Sequence, residues 1–573
     1  MNFRWTGIDA QLAALLCAVA LGIAGCGGGS SDEQLAAAGT KQILSGGDGD
    51  REGSGGGDDD DNDRDDDDRD GHNGNGSLKA RCGPGSVPET GLQGQVPAAV
   101  RAAGFKGYSC NLKLIGQSRN EGGSWQTAYF QDKRGHRCAY YDSASTAVIP
   151  GTAIPNVPGS GTPRSQRGVA VIDATNQRHP VATTFLNTTA MIDPWESLKV
   201  NERRKLLGGV NALNGNGGPE IELFDIAGDC RYPQMLTGAQ VGLGSTPDEF
   251  KAAVRGHEGN FAPDGLTYYA ANLGAGYIYP IDITNPTKPK MLAQHFTVSP
   301  TSGRVHGLNI SDDGKRAYVA ILGNGGANIN RLPGSLPNNG LQILDTSQIQ
   351  ARVPNPVMTV LGQVTWDDGG GAQHAINVKI KGKPYVIHVD EAGSGGNNAV
   401  GWQRACDQNL PAWQFARIID VSDETKPTVL SKLIMEAYDP KNCAQVLPDL
   451  AGLGSFTYGA HYCSVDNRKD ATTLACGYFN SGIRVFDIRN PARPREIAYF
   501  NPAGTTTMSP GSNHIRTGGW VAGGPDWCTA QVRLDAKKGT LETMCQDNGY
   551  LVLKFTNGVW PFRNSSTPPG LGN

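Results

Sequence analysis

The chain has 573 residues, of which 78 are Gly and 34 are Pro, and only 18% of its residues are charged. This composition favours an all-β protein with many turns over a helical one. The formal net charge is −4, and the sequence contains no Lys/Arg cluster. These two features argue against nucleic acid as a partner.

The N-terminus has the features of an export signal. An apolar run from Leu12 to Ile23 follows Arg4. It has the length of a signal-peptide core and is too short for a comfortable transmembrane helix. The run leads into Ile-Ala-Gly-Cys, ending at Cys26. An ordinary secretory signal with an incidental cysteine is the alternative interpretation.

The Ile-Ala-Gly-Cys ending resembles the lipobox of bacterial lipoproteins. The resemblance implies that residues 1–25 are a removed lipoprotein signal peptide and that Cys26 carries a lipid, which makes a membrane the first partner. The residue after the cysteine is Gly27 and not an Asp. By the sorting rule of such lipoproteins, this residue implies an exported protein of the outer membrane or cell surface.

Residues 26–80 are predicted to be a disordered Gly/Asp-rich tether. Between Asp48 and Asp70 there are 13 acidic and 3 basic residues. Such a segment cannot bury enough apolar surface to fold, and its charges repel one another. A calcium loop of the EF-hand type is the alternative, but the required Gly and Glu are missing from their positions.

Residues 81–573 are predicted to form a single β-propeller, because one short pattern recurs along them. Each copy consists of apolar residues, then an Asp, and then a turn that often ends in Pro. The pattern ends at six positions: Asp173, Asp225, Asp282, Asp345, Asp420 and Asp487. Each copy is predicted to be a strand, a tight turn and a second strand.

A second pattern precedes the first in several copies. His257-Glu-Gly-Asn260 and His306-Gly-Leu-Asn309 are both followed by Asp-Gly at the same spacing, and His374 begins a similar segment. Together the two patterns predict four antiparallel strands in each repeat, which is a propeller blade. We count seven blades, with six or eight as alternatives, near residues 110–190, 191–245, 255–298, 304–365, 372–436, 459–500 and 524–560.

The Asp-bearing pattern resembles the LVIVD repeat family of exported bacterial β-propellers. The resemblance extends from Gly168 to Phe555 in degenerate form, and Pro280 interrupts one copy. It implies the propeller fold and implies no particular activity.

Ten cysteines remain after Cys17 and Cys26, and an even number in an exported protein predicts disulfides. The strand register pairs Cys463 with Cys476 and Cys528 with Cys545 across hairpins, and Cys406 and Cys443 bracket an insertion. Four others allow three pairings: Cys82, Cys110, Cys138 and Cys230.

Four of the ten histidines begin the innermost strand of successive blades, and such strand starts surround one mouth of a propeller channel. Alignment of Cys528 on Cys463 adds a carboxylate at the equivalent position of the last blade. The predicted metal ligands are therefore His257, His306, His374, His461 and Asp526. Imidazole suits copper, iron or zinc.

A second set of residues is predicted to support the imidazoles. Asn260, Asn309 and Asn377 are predicted to orient them, and Glu258 is predicted to act as a base or an extra ligand. A purely structural role of the histidines is the alternative. His388 and His514 fall outside the pattern and are predicted to be structural, with the channel mouth as an alternative position for His514. The histidine-lined channel is distantly similar, in architecture alone, to the selenium-binding protein and methanethiol oxidase propellers, which carry copper.

Two functions follow from these features. The first is a lipid-anchored binding module of the cell envelope, with a protein, glycan or small molecule as its ligand. The second is a metal-dependent, copper-type oxidoreductase with a histidine-ringed channel. A calcium-dependent lactonase is disfavoured, because such propellers use carboxylates and asparagines instead of a histidine ring. The usual catalytic motifs of hydrolases, P-loop proteins and zinc proteases are absent from the sequence.

Overall fold

The computed structural model describes residues 79–562 apart from 122, 124, 143–165, 167, 189, 193, 211–220, 238–255, 274–275, 294–295, 298–303, 323–338, 397, 511, 513 and 515–519. The predicted signal peptide, the lipidation site Cys26 and the acidic tether lie outside the described residues. Among the described residues, we find no helix with the length and apolar character that crossing a membrane requires.

The described chain forms seven antiparallel sheets, which confirms the prediction of a seven-bladed propeller. From the inner to the outer strand, the sheets are: blade 1, Thr127–Gln131, Arg137–Asp142, Val169–Asp173 and Val181–Leu186; blade 2, Lys199–Asn201, Leu206–Val210, Ile221–Asp225 and Gln234–Met235; blade 3, Glu258–Phe261, Thr267–Asn272, Tyr277–Asp282 and Lys290–Met291; blade 4, Val305–Ile310, Arg316–Ile321, Gly340–Asp345 and Thr359–Thr365; blade 5, Gly370–Ile380, Lys383–Ala392, Ala416–Asp420 and Thr428–Lys432; blade 6, Ala460–Val465, Thr473–Tyr478, Ile483–Asp487 and Arg495–Asn501; blade 7, Arg533–Asp535, Thr540–Cys545, Gly549–Phe555 and Leu112–Ser118.

The ring is closed by a strand from the N-terminal side of the domain. Leu112–Ser118 pairs with Gly549–Phe555 and completes blade 7. The preceding strand, Tyr108–Cys110, adds a fifth strand to blade 6. The predicted start of blade 1 near residue 110 was therefore wrong, because residues 108–118 belong to the last two blades. In this arrangement one backbone ladder joins the two ends of the domain.

The Asp of each repeat ends the third strand and starts the turn after it. The Asp420 Oδ1 atom accepts a hydrogen bond from the Ser422 N–H at 2.8 Å, and the Asp487 Oδ1 atom accepts one from the Arg489 N–H at 3.0 Å. The same bond forms at the other four aspartates. This side-chain bond replaces the backbone bond that the strand loses at the turn, which explains why Asp recurs there.

The apolar part of each repeat is buried from both sides. The third strands Val169–Asp173 and Ile483–Asp487 are buried at every residue before the Asp. Both faces of a blade pack on neighbouring blades, so its strands are mostly apolar, and a polar residue within them, such as Arg484, is buried as well. Leu474 of blade 6, for example, packs in one cluster with Ile376 of blade 5.

In the part of the chain that the structure describes, helices are few and short and connect the strands. The α-helices are Ala98–Ala102, Ser347–Gln350, Ala399–Asp407 and Cys443–Val446, and the 3₁₀ helices are Glu436–Tyr438, Pro440–Asn442 and Leu447–Asp449. The longest of those described, Ala399–Asp407, begins at Asn398, whose side chain accepts a hydrogen bond from the Gly401 N–H. It lies in the insertion between the second and third strands of blade 5.

Five disulfides are present, and they confirm the three predicted pairs. These are Cys463–Cys476, Cys528–Cys545 and Cys406–Cys443. The sequence left three pairings of the other four cysteines open, and the structure has the one that joins Cys82 to Cys110 and Cys138 to Cys230. Cys138 and Cys230 are 92 residues apart in sequence, so their bond joins blade 1 to the turn that follows the third strand of blade 2.

Candidate functional site at the channel mouth

Three of the predicted histidines converge at one mouth of the channel. His257 immediately precedes the inner strand of blade 3, while His306 and His461 lie on the inner strands of blades 4 and 6. The rings of His257 and His306 are 4.5 Å apart. His306 and His461 are fully buried, and the side chain of His257 is 20% exposed.

Two glutamates that the sequence analysis missed hold these imidazoles together. Glu196 Oε2 lies 3.2 Å from Nε2 of His257 and 3.4 Å from Nε2 of His306. The other oxygen of Glu196, Oε1, lies 3.2 Å from Nε2 of His461. A single buried carboxylate thus contacts imidazoles from three blades.

The second glutamate, Glu391, is the next-to-last residue of the second strand of blade 5. Its Oε2 atom lies 3.1 Å from Nε2 of His306, and its Oε1 atom lies 3.8 Å from Nε2 of His461. We call Glu196, Glu391, His257, His306 and His461 the mouth cluster. The side chain of Glu391 is 24% exposed, so the mouth cluster reaches solvent at Glu391 and His257.

Glu258 lies behind the mouth cluster and anchors the opposite side of two imidazoles. Its carboxylate oxygens lie 3.4 Å from Nδ1 of His306 and 3.2 Å from Nδ1 of His374. It also accepts a hydrogen bond from the Tyr462 hydroxyl at 3.1 Å and lies 3.6 Å from Nζ of Lys199. The structure therefore places Glu258 among the supporting residues, where its lone pairs are already used.

A glycine makes room for that carboxylate. A Cβ atom at Gly307 would lie 1.9 Å from Glu258 Oε2 and 2.7 Å from the carbonyl oxygen of Gln373. No side chain fits at position 307 unless Glu258 moves. The His-Gly pair of the blade 4 repeat thus supplies both an imidazole and the space for its partner.

His374 takes a different position from the other three histidines. Among the described carboxylates, we find only Glu258 in ion-pair contact with it. Its Nε2 atom is buried without a hydrogen-bond partner among the described residues. Burial lowers the pKa of His374, and Lys199 and His306 add to that effect. His374 therefore lies in the supporting layer with Glu258.

Asp526 also lies elsewhere, in a group with His514 and Asp547. Its carboxylate accepts hydrogen bonds from the backbone N–H groups of Asp547 and Asn548. The alignment that placed it beside the histidines assumed equivalent inner strands in blades 6 and 7. Blade 7 departs from this, because Cys528 forms only an isolated bridge with Tyr478 and the inner strand begins at Arg533.

The three asparagines bind backbone and arginine groups, and we find no contact with an imidazole among the described residues. Asn260 donates to the Leu308 carbonyl oxygen, and Asn309 accepts from the Ile310 N–H. Asn377 accepts from the Arg468 guanidinium. The predicted orienting role falls instead to Glu258 and to a backbone carbonyl group.

That carbonyl group belongs to Thr529, whose oxygen lies 3.2 Å from Nδ1 of His461. A carbonyl oxygen only accepts, so Nδ1 of His461 carries a proton, while Nε2 faces Glu196 Oε1 at 3.2 Å and the side-chain amide nitrogen of Gln373 at 2.7 Å. His306 has carboxylate oxygens at both ring nitrogens, Glu258 at Nδ1 and Glu196 with Glu391 at Nε2, so both nitrogens donate and a metal would replace the proton on Nε2. A fixed Nδ1 partner with Nε2 left for a cation is typical of metal-binding histidines.

The charges of the mouth cluster depend on one another. Burial opposes ionisation of Glu196, but His306, His257 and His461 outweigh it and lower the pKa of Glu196 to about 2. Burial likewise disfavours charged imidazoles, yet Glu196, Glu258 and Glu391 raise the pKa of His306 to about 10. Glu196 and Glu391 raise the pKa of His461 to about 9.

The donor atoms of the mouth cluster form two overlapping groups, Glu196 with His257 and His306, and Glu196 with Glu391 and His461, and the atoms of each group lie within 4.8 Å of one another. The spacing within each group fits one transition-metal ion. Donors bound tetrahedrally at about 2.1 Å from a metal lie about 3.4 Å from one another. The contacts between the carboxylate oxygens and Nε2 atoms of the mouth cluster range from 3.1 to 3.8 Å. The nitrogen and oxygen donor set suits zinc, iron or copper(II).

Both missed glutamates have a sequence signal that appears only once the blade topology is known. The second strand of a blade runs antiparallel to the inner strand, so its last residues lie at the mouth where the inner strand begins. Glu391 follows the apolar strand segment of blade 5 at that end. Glu196 lies three residues before the inner strand Lys199–Asn201, in a blade whose repeat is degenerate.

Comparisons with known proteins add three structures of propeller type. No protein-family model and no curated protein matches the sequence. A putative 6-phosphogluconolactonase from Bacteroides fragilis is 11% identical, with a TM-score of 0.40, over 69% of this chain and 96% of that chain. The Pseudomonas aeruginosa periplasmic gluconolactonase is 13% identical, with a TM-score of 0.41, over 71% and 93%. The β-propeller domain of Cps50 (Swd1) from Myceliophteria thermophila is 9% identical, with a TM-score of 0.43, over 78% and 100%.

These likenesses all have TM-scores below 0.5. The assignment of the fold therefore rests on the seven sheets of the chain itself. What the site does has to be argued from its own residues.

Proposed function

We propose that this protein is an exported propeller that binds a divalent transition metal at its channel mouth and presents that metal to a small ligand. The observation that carries the proposal is the convergence of Nε2 atoms from His257, His306 and His461 on Glu196, with Glu391 beside two of them. His306 and His461 have a fixed Nδ1 partner, so they are preset to bind a cation.

The donor set restricts the metal. The ten cysteines of the described domain are all in disulfides, so no thiolate is available there. Imidazole with carboxylate suits zinc, iron and copper(II), whereas ions that prefer only oxygen do not need the histidines. His257 and Glu391 would hold the metal on the solvent side, where a ligand can approach.

The test is elemental analysis of the full-length protein, purified from membranes without a histidine tag. We expect about one equivalent of zinc, iron or copper per chain, and the Glu196→Gln variant is expected to lose it. The matched control is Glu424→Gln. Glu424 lies on the turn between the third and outer strands of blade 5 and pairs with Arg316. A wild-type protein without metal after reconstitution with each ion overturns the proposal.

We also propose that the propeller is an LVIVD-type lipoprotein and functions as a binding module of the cell envelope. The five disulfides support an exported protein. The lipobox-like ending at Cys26 supports the anchor. Cells that express the wild type should incorporate labelled palmitate into the protein, and cells that express Cys26→Ala should not. Persistent labelling of the variant contradicts the anchor.

A metal-dependent oxidoreductase is the second candidate. The partial exposure of Glu391 and His257 favours it, because a reactant can reach a metal held there. The assay is oxygen consumption by the metal-loaded protein with small thiols and small alcohols. Turnover that Glu196→Gln abolishes supports an enzyme, and no turnover with either class leaves ligand binding as the function.

A further inference from the structure

Five aromatic side chains form a continuous group next to the mouth cluster, and we call this group the aromatic shelf. Its members are Trp125, Trp195, Phe456, Phe479 and Trp527. Trp125 lies 5.7 Å from Trp195 and 6.0 Å from Trp527, measured between ring centroids. Phe456 stacks on Phe479 at 4.6 Å.

The aromatic shelf extends to two of the imidazoles that we propose as metal ligands. The Trp125 ring is 5.3 Å from the His461 ring, and Phe479 is also 5.3 Å from His461. At the other end, Trp195 is 6.0 Å from His257. A ligand lying on the shelf therefore has one edge at the mouth cluster.

The two partly exposed members of the shelf have an unusual backbone. Trp195 has φ = 49° and Phe456 has φ = 65°. This left-handed region is unfavourable for any residue with a Cβ, and a bulky side chain there is an outlier. Such conformations cluster at ligand sites, where the surrounding structure maintains them.

Two indole N–H groups of the shelf have no hydrogen-bond partner among the described residues. They belong to Trp125, which is 5% exposed, and to Trp527, which is fully buried. A buried donor without an acceptor is costly. Both belong to the aromatic shelf, and an oxygen atom of a ligand can accept from an N–H group of this kind.

We propose that the aromatic shelf binds the planar ring of a small aromatic molecule whose oxygen substituent reaches the metal in the mouth cluster. The inference rests on the proposed metal site and names the ligand class that the site accepts. The five side chains that form the shelf are apolar apart from the indole N–H groups of its three tryptophans. A sugar needs several polar partners for its hydroxyl groups, whereas an aromatic ring needs only the ring faces and edges offered here.

The experiment measures binding of benzoate, cyclohexanecarboxylate and acetate to the full-length, zinc-loaded protein by calorimetry. All three carry the same carboxylate, but only benzoate has an aromatic ring. We expect benzoate to bind about threefold to tenfold more tightly than cyclohexanecarboxylate, the range typical of aromatic pairs. Equal affinities for benzoate and acetate overturn the proposal that the aromatic shelf binds an aromatic ring.

Variants separate ligand binding from folding. Trp195→Ala is expected to weaken benzoate binding at least tenfold, while Tyr232→Ala, which removes a 51% exposed ring on an outer turn of blade 2, leaves it unchanged. Phe456→Gly is the second variant, because glycine tolerates the positive φ. It relieves the backbone strain but removes the stack on Phe479, so its melting temperature is measured first, and at a temperature where it remains folded it should lose benzoate. Unchanged benzoate affinity in both shelf variants overturns the proposal.

Failure of the metal-site proposal and failure of the shelf proposal give different binding results. If zinc does not bind but benzoate still distinguishes wild type from Trp195→Ala, the metal proposal fails and the shelf is a ligand site without metal. If zinc binds and benzoate binds no better than acetate, the shelf fails and the metal site stands. Zinc content is measured in every variant, so loss of benzoate is assigned to the shelf only where zinc is retained.

Discussion

Two groups of buried carboxylates in this propeller have different partners. Away from the channel mouth they are paired with guanidinium groups. Arg137 donates to Glu542 at 2.7 Å, and Arg533 donates to the other oxygen of Glu542 at 2.9 Å. At the channel mouth, Glu196 and its neighbours are paired with imidazoles instead.

The two kinds of partner differ in whether they can release a proton. A guanidinium stays protonated at any pH that proteins tolerate, and its fork occupies the carboxylate oxygens. An imidazole can release its proton and present a lone pair to a metal ion. The arginine-paired carboxylates are therefore structural, whereas the mouth cluster can exchange protons for a cation. This comparison makes four predictions.

The largest effect is expected from Arg484→Met. Arg484 is buried between Glu496 at 3.0 Å and Glu89 at 2.8 Å. Its removal leaves two carboxylates without their cation in a dry environment, so the free energy of unfolding should fall by about 3–5 kcal/mol. Urea denaturation measures the change. A loss below about 1 kcal/mol would show that water reaches these carboxylates and would remove the contrast with the mouth cluster.

The second effect concerns acid stability. Burial opposes the charge of Glu542, but Arg533 and Arg137 outweigh it and lower its pKa to about 2. A carboxylate with a depressed folded-state pKa stabilises the fold above its unfolded pKa, near 4.5, and that contribution is lost as the pH falls toward 2. The contribution is on the order of 3 kcal/mol. Glu542→Gln should be less stable at neutral pH and should lack this part of the acid dependence. A variant with the wild-type pH profile contradicts the assignment.

The third effect is smaller and appears only with metal. At a zinc concentration of 100 times Kd, wild-type stability should rise by about 2.7 kcal/mol. Glu391→Gln removes one proposed ligand, and a tenfold weaker Kd reduces the gain to about 1.4 kcal/mol. Chemical denaturation with zinc and with a chelator measures both values, and Glu424→Gln serves as the control. An equal gain in Glu391→Gln excludes Glu391 from the site.

The smallest effect is expected from Arg489→Met, the matched control for Arg484→Met. Arg489 also binds a carboxylate, that of Asp487 at 2.7 Å, but its side chain is 48% exposed. Water screens the pair, so the loss should be below about 1 kcal/mol by the same urea measurement. A loss as large as that of Arg484→Met would show that burial is not what distinguishes the two.

Much of the fold could be predicted because its signals are local. The Asp of each repeat binds an N–H only two residues away, so its role is visible in a short segment. Cys463 and Cys476 lie directly opposite each other in one hairpin, and counting strands is enough to pair them. His306 and His461 could be placed because both begin an inner strand.

The candidate site was only partly predictable. Asp526 was assigned by alignment to the histidines, but blade 7 begins its inner strand seven residues later, at Arg533. Glu196 was missed because its blade has a degenerate repeat. Asn260 shares a register with the other asparagines, yet its side chain bonds to the backbone of the next blade. A repeat pattern shows which positions are equivalent, but it does not show which contacts those positions make.

By itself, the sequence determined the blade as a unit: its strands, its Asp turns and the disulfides within hairpins. Each depends on residues that are close in the chain. Only the tertiary structure decided which residues share the channel mouth, because closure of the ring brings Glu196, His306 and Glu391 together from blades 2, 4 and 5. It also decided how the ring closes, since Leu112–Ser118 completes a blade whose other strands begin more than 400 residues later. Contacts at such separations depend on the curvature and number of the blades, which no single repeat encodes.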